Sequence, residues 1–153
     1  MKKIFYIFCF IVFAFTLTAC GQPVLMDQLN KQGVYPYTDS YFGFNLPLPG
    51  MFQYYQTQRL SFTGYSELDI FVPTADRNYP EMVSGYAEPV IVRVYDKTAY
   101  DSLSPAAKTQ STKVAARGDK VYTMIFWSSV PTDFTDKWSD AVEQQLIKNF
   151  KLK

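Results

Sequence analysis

The chain has 153 residues, 15 Lys and Arg against 14 Asp and Glu, two Cys and no His. This near-balance offers no basic stripe to a nucleic-acid backbone, so no nucleic-acid partner is expected. The lack of His excludes Ser-His and Cys-His nucleophile pairs and takes away the commonest ligand of Zn, Cu and Fe, so no metal or cofactor is expected and any catalysis would run on carboxylates, Tyr, Lys or Arg.

Met1-Lys2-Lys3 opens with two adjacent cations, and Ile4 to Leu17 follow without a charge, a Gly or a Pro. That apolar run is shorter than the roughly 20 residues a membrane-crossing helix needs. A charged start, a short apolar run and small residues at its end read as a secretory signal peptide. An uncleaved anchor, with the run stretched to Ala19, is the alternative. Leu17-Thr18-Ala19-Cys20 resembles the lipobox of bacterial lipoproteins. The resemblance implies that a diacylglyceryl group alkylates the Cys20 thiol, that a peptidase cuts before Cys20, and that the new amine is acylated. Two or three acyl chains hold a protein to a membrane far more firmly than one, at about 0.8 kcal/mol per buried CH₂.

Cleavage there would remove Cys9 with the peptide and leave the lipidated Cys20 as the one remaining Cys, so no intrachain disulfide is expected. It would also take two cations and no anion, leaving a slight negative charge. Gly21 stands where an Asp signals inner-membrane retention in many two-membrane bacteria, which favours the outer membrane in such a cell. The expected organisation is a signal peptide over residues 1–19, a tether over residues 20–39 and a single domain over residues 40–153.

In the tether, Val24, Leu25, Met26 and Leu29 suit a short amphipathic turn of helix that docks on the domain or touches the bilayer, broken at Gly33. Beyond it, Phe42, Phe44, Leu46 and Leu48 alternate and predict a strand, with Pro47 at an edge or bulge and Pro49-Gly50 as a turn. A second strand runs through Gln58 to Phe62. In "YSELDIFVP", Ser66, Leu68, Ile70 and Val72 share one face while Glu67 and Asp69 take the other. Residues 74–87 read as an irregular loop carrying Tyr79, Met82 and Tyr86. "PVIVRVYD" is β-branched on both faces and predicts a central strand. Lys97 to Leu103 suit a short helix before Ser104-Pro105. Gly118-Asp119 lies between two strand-like runs, Lys113 to Ala116 and Lys120 to Trp127, and predicts a hairpin. Arg117-Gly118-Asp119 also spells an adhesion tripeptide, but a hairpin turn calls for Gly and Asp anyway. Finally Phe134, Trp138, Ala141, Val142, Leu146 and Phe150 form one apolar stripe, predicting a long amphipathic helix capped by Thr132 or Asp133. The sum is an α+β fold: a mostly antiparallel twisted sheet packed by that helix.

Three stretches together resemble the PsbP/Mog1-like fold: "YFGFNLPLP", the hairpin "VAARGDKVYTMIFW" and the helix "DFTDKWSDAVEQQLIKNF" with its closing Phe150-Lys151-Leu152. The resemblance implies a binding or assembly role more than catalysis. It carries over no functional residue.

Candidate site residues are Cys20 for lipidation, and Glu67, Asp69 and Trp127 for binding. Glu67 and Asp69, two apart on one strand face, either pair with Arg93 or Arg59 on a solvated surface, hold Ca²⁺, or act as an acid and a base. Asp133, Asp136 and Asp140 share that ambiguity, with helix capping accounting for the first two. Trp127 shares strand parity with Val121, Thr123 and Ile125, opposite Tyr122, Met124 and Phe126, and one of the two sets must face the core. The other is covered or presents a partner patch. The sequence therefore favours a membrane-anchored binding module, with an envelope protein or glycan as partner. The competing class is a carboxylate- and Tyr-based enzyme or small-ligand binder.

Overall fold

The structure is a computed structural model that describes residues 29–80 and 83–153. Cys9, Cys20, Met82 and most of the expected tether helix (Val24, Leu25, Met26) lie outside the described residues. The fold is α+β, built on two antiparallel sheets rather than one. A three-stranded sheet has the order β1-β2-β8, from β1 (Val34–Asp39), β2 (Phe44–Pro49) and β8 (Lys151–Leu152). A five-stranded sheet has the order β3-β4-β5-β7-β6, from β3 (Gln56–Phe62), β4 (Tyr65–Pro73), β5 (Tyr86–Asp96), β6 (Thr112–Arg117) and β7 (Lys120–Phe126).

The small sheet starts within the stretch read as tether, because Val34–Asp39 pairs with β2 along its whole length. Pro36 stands opposite Pro47. Neither has an N–H to give, so this pair falls at a position where the two strands exchange no hydrogen bonds. The Pro47 nitrogen then points to the other side of β2, where β8 covers only Phe44 and Asn45. The proline is tolerated because its side of the strand is open there.

Alternation then builds the core. Phe44, Leu46 and Leu48 of β2 are fully buried, as are Leu68, Ile70 and Val72 of β4, Val90 and Val92 of β5, and Met124 of β7. One face of the large sheet thus packs into the same core as the small sheet. Between β5 and β6 run two short helices, α1 (Lys97–Ser102) and α2 (Pro105–Thr109). Ser104 caps α2 by accepting from the Ala107 N–H at 3.2 Å, with Pro105 in the first turn, where a missing N–H costs nothing. The β6–β7 hairpin turns at Gly118-Asp119, with Gly118 at φ 59°. That left-handed value favours Gly in a two-residue turn.

The C-terminal helix, α3 (Asp140–Asn149), is shorter than its apolar stripe. Phe134 closes a single 3₁₀ turn, Thr132–Phe134, and the chain then turns before Ser139 starts α3. Phe134 is buried and Trp138 packs against the core all the same, so aromatic residues at helical spacing serve the core from two separate pieces. Asp133 does not cap a helix. Its carboxylate accepts from Thr74 Oγ1 at 2.8 Å and from the Ala75 N–H at 2.9 Å, while Asp76 accepts from the Thr132 N–H at 2.9 Å. This exchange clips the end of β4 to the segment leading into α3. Leu146 and Phe150 then complete the core, with the Phe150 ring 4.9 Å from that of Phe44.

Asp39 joins the two sheets. It is fully buried, and its carboxylate takes four donors: the Phe42 N–H (2.7 Å), the Tyr37 hydroxyl (3.1 Å), and Arg59 Nε (3.0 Å) and Nη2 (2.8 Å). The first closes the β1–β2 turn and the last two reach from β3. Burial, with the Asp39 charge second, pushes the Tyr37 hydroxyl up to about 12. Asp39→Ala takes the acceptor from the Phe42 N–H and the Tyr37 hydroxyl, while the half-exposed Arg59 can turn to water, and is expected to destabilise the domain by about 1–3 kcal/mol. Urea unfolding at neutral pH measures it, and a loss under about 0.5 kcal/mol, the size of an ordinary surface change, would remove Asp39 from this role.

Candidate functional site

The outer face of the large sheet carries the acidic residues. In register across the strands, Glu67 lies between Leu60 and Arg93, and Asp69 between Gln58 and Ile91. Sequence parity assigns both to the face away from the core, as observed, but the expectation of a solvated face is wrong. Glu67 is 7% exposed and Asp69 is 4% exposed. Long neighbours on β3 and β5 flank them, and at one end of this face α1 brings Tyr100 against Tyr95, with ring centroids 5.6 Å apart.

Of the two cations considered as partners, Arg93 pairs with Glu67, whereas Arg59 goes to Asp39. Arg93 also donates to the Tyr95 hydroxyl at 3.1 Å and lies over the Tyr65 ring, 4.7 Å from its centroid. It is thereby drawn toward the tyrosine end of the face. Asp69 keeps one carboxylate oxygen, Oδ1, buried without a partner among the described residues. Burial first, and the Glu67 charge second, push its carboxyl up to about 6 against the pull of Arg93. Thr123, opposite Arg93 on β7, also keeps its hydroxyl unpartnered among the described residues.

Sequence reasoning missed Glu88. The central strand was read from Pro89, but β5 begins at Tyr86, and the register of β4 against β5 shifts between Ile70 and Val72. Parity with the core residues Val90 and Val92 points Glu88 inward, but β5 carries an extra residue between Ala87 and Val90, which turns Glu88 to the outer face with Tyr86. Burial first, then the charges of Asp69 and Glu67, push the Glu88 carboxyl up to about 7. Glu88 lines a cavity of about 300 Å³ with Phe71, Tyr79, Tyr86, Ile125 and Trp127. Burial, and behind it the Glu88 charge, raise the Tyr79 hydroxyl above its ordinary value.

Trp127 thus shares this cavity with Glu88 and not with Glu67 or Asp69. Its ring centroid lies 4.7 Å from that of Trp138 and 5.5 Å from that of Phe134, and its indole N–H is buried without a partner among the described residues. Glu67 and Asp69 line neither this cavity nor a second one, of about 370 Å³, at the other end of β4. That second concavity gathers Tyr41, Phe62, Tyr65 and Tyr122 beside the Asp96–Lys120 ion pair.

The chain matches no family model, no curated protein and no solved structure. The arrangement itself therefore carries the chemistry. Among the described residues no three acidic or thiol side chains converge as a metal ion requires, and Glu67 is engaged by Arg93. What the site can do near neutral pH is exchange protons at Asp69 and Glu88, or take up positive charge beside them.

Both acids hold a proton more tightly in the folded chain than at their ordinary values of 3.8 and 4.5. Their contribution to stability is full below those values and is lost as pH rises through about 6 and about 7. The double substitution Asp69→Asn/Glu88→Gln removes this dependence. It is expected to stabilise the protein near pH 8 by an amount on the order of 1–2 kcal/mol, and much less near pH 4. Urea midpoints at the two pH values check it, and an equal effect at both would contradict the raised values.

Proposed function

We propose that the chain is a lipid-anchored protein of the bacterial cell envelope whose α+β domain binds a partner and does not transform it. The anchor rests on Leu17-Thr18-Ala19-Cys20 behind a charged, apolar leader. Among the described residues no helix is long and apolar enough to cross a membrane; the proposed attachment is through acyl chains on Cys20, in the outer membrane where a cell has two.

The observation that carries the binding role is the pair of aromatic-lined concavities at opposite ends of β4. Aromatic side chains with polar tips supply large contact area at little cost in lost freedom, which suits recognition. Tyr41 and Phe62 are exposed beside the larger concavity, where a glycan or an envelope protein is the proposed partner. The order of the elements supports placing the domain with PsbP/Mog1-like folds: a first hairpin, an antiparallel sheet closed by the β6–β7 hairpin, then a helix.

A second reading rests on Glu88. A carboxyl near neutrality inside a cavity is what a general acid or base requires. It predicts a turnover that Glu88→Gln abolishes, and the binding reading predicts none.

For the anchor, Cys20→Ser is expected to leave the precursor unprocessed and without lipid. Mass spectrometry of the wild-type chain should find Cys20 at the new N-terminus with acyl groups attached. An unmodified Cys20 would defeat the anchor. Crosslinking in intact cells, with and without Tyr41→Ala/Phe62→Ala, tests the partner surface; crosslinks unchanged by that double substitution would remove it.

A further inference from the structure

The cavity beside Glu88 combines two features that together specify a ligand. Five aromatic side chains line it, Phe71, Tyr79, Tyr86, Phe126 and Trp127, with Ser128 and Ser129 at its edge among the other lining residues. Among the described residues, its one charged lining residue is Glu88. Behind Glu88 stand Asp69 and Glu67 on β4, and both act on it electrostatically. Arg93, in register with Glu67 on this face, is held by Glu67 and by the Tyr65 and Tyr95 rings. From β7 and the residue after it, Ile125 and Trp127 bring no charge, and on β6 Lys113 lies over the Tyr100 ring. Among the described residues, no Lys or Arg forms an ion pair with Asp69 or Glu88. Asp69 is deeply buried with one oxygen unpartnered among the described residues.

We propose that this cavity binds a small organic cation, an alkylammonium group held between the Glu88 carboxylate and the faces of the surrounding aromatic rings. Ring faces attract a cation through their quadrupole, and Trp does so best. The carboxylate supplies the opposite charge in a partly desolvated setting, where it counts for more than in water. A volume of about 300 Å³ suits a small molecule and sits at the lower end of the range for ligand pockets. The cation also answers the local charge: among the described residues, Glu67, Asp69 and Glu88 have one ion pair between them, Arg93 with Glu67, and a bound ammonium would offset part of that excess. Binding and proton release are then linked, because the cation favours ionised Glu88 and Asp69 over their protonated forms.

The inference rests on the domain's being a binding module and is independent of the lipid anchor, so a failure at Cys20 leaves it standing. The test is calorimetric titration of the full chain in a neutral detergent with choline, and with its uncharged analogue in which carbon replaces nitrogen. Choline is expected to saturate one site, with the uncharged analogue at least about tenfold weaker. Affinity should fall by about tenfold or more from about pH 8 to about pH 5.5, as Glu88 takes up its proton. Glu88→Gln should remove both the pH dependence and most of the affinity while unfolding as cooperatively as the wild type. Trp127→Phe, which keeps a ring, should retain weaker binding of the same pH dependence. Equal binding of the uncharged analogue, unchanged binding by the Glu88→Gln protein, or no heat up to about 50 mM choline with the protein folded would each overturn the proposal.

Discussion

The Asp39 carboxylate is the point on which the two sheets depend. Without a disulfide among the described residues, the halves of the domain are held by packing and by the few polar links that cross between them. Asp39 closes its own hairpin through the Phe42 N–H and reaches the large sheet through Arg59. Buried carboxylates are costly unless their lone pairs are filled, and here four donors fill them. Tyr122, donating its hydroxyl to the Phe42 carbonyl at 2.9 Å, ties the same hairpin to β7. The small sheet is thereby fixed over one face of the large sheet, and the other face is left to serve a different purpose.

That other face treats its carboxylates differently. Glu67 has Arg93, but Asp69 keeps an oxygen without a partner and Glu88 stands in a cavity with no cation against it among the described residues. The contrast lies within one molecule, with the same residue type, similar burial and opposite satisfaction. Buried polar groups are ordinarily hydrogen-bonded, so an unfilled one calls for an explanation. Incomplete neutralisation beside aromatic walls gives one, since it leaves charge and ring faces available to a ligand. Perturbed carboxyls tend to gather at functional sites for the same reason.

Much of the fold was readable from alternation. Phe44, Leu46 and Leu48, then Leu68, Ile70 and Val72, mark β2 and β4, and the β-branched run in β5 marks a strand with neighbours on both sides. Gly118-Asp119 marks its hairpin because the turn geometry demands such residues. Local pattern was silent about β1, whose Val34–Asp39 carries a proline and becomes a strand only by pairing with β2. It overextended α3, because helical spacing cannot tell a continuous helix from a turn and a helix that fill one core. It placed Glu67 and Asp69 on the correct face but missed their burial, which depends on the strands to either side. Glu88 escaped because a bulge in its own strand, where β5 takes three steps from Ala87 to Val90 against two on β4, sets what it faces.

The central claim is that this outer face holds carboxyls whose charge is not fully answered. Carboxyl ¹³C resonances of Asp69 and Glu88, followed through a pH titration of the full chain without ligand, measure this directly. The account predicts midpoints of about 6 and about 7, with the Glu88 midpoint falling when Asp69 is replaced by Asn. Midpoints for both near the ordinary carboxylate values, about 4, would contradict it.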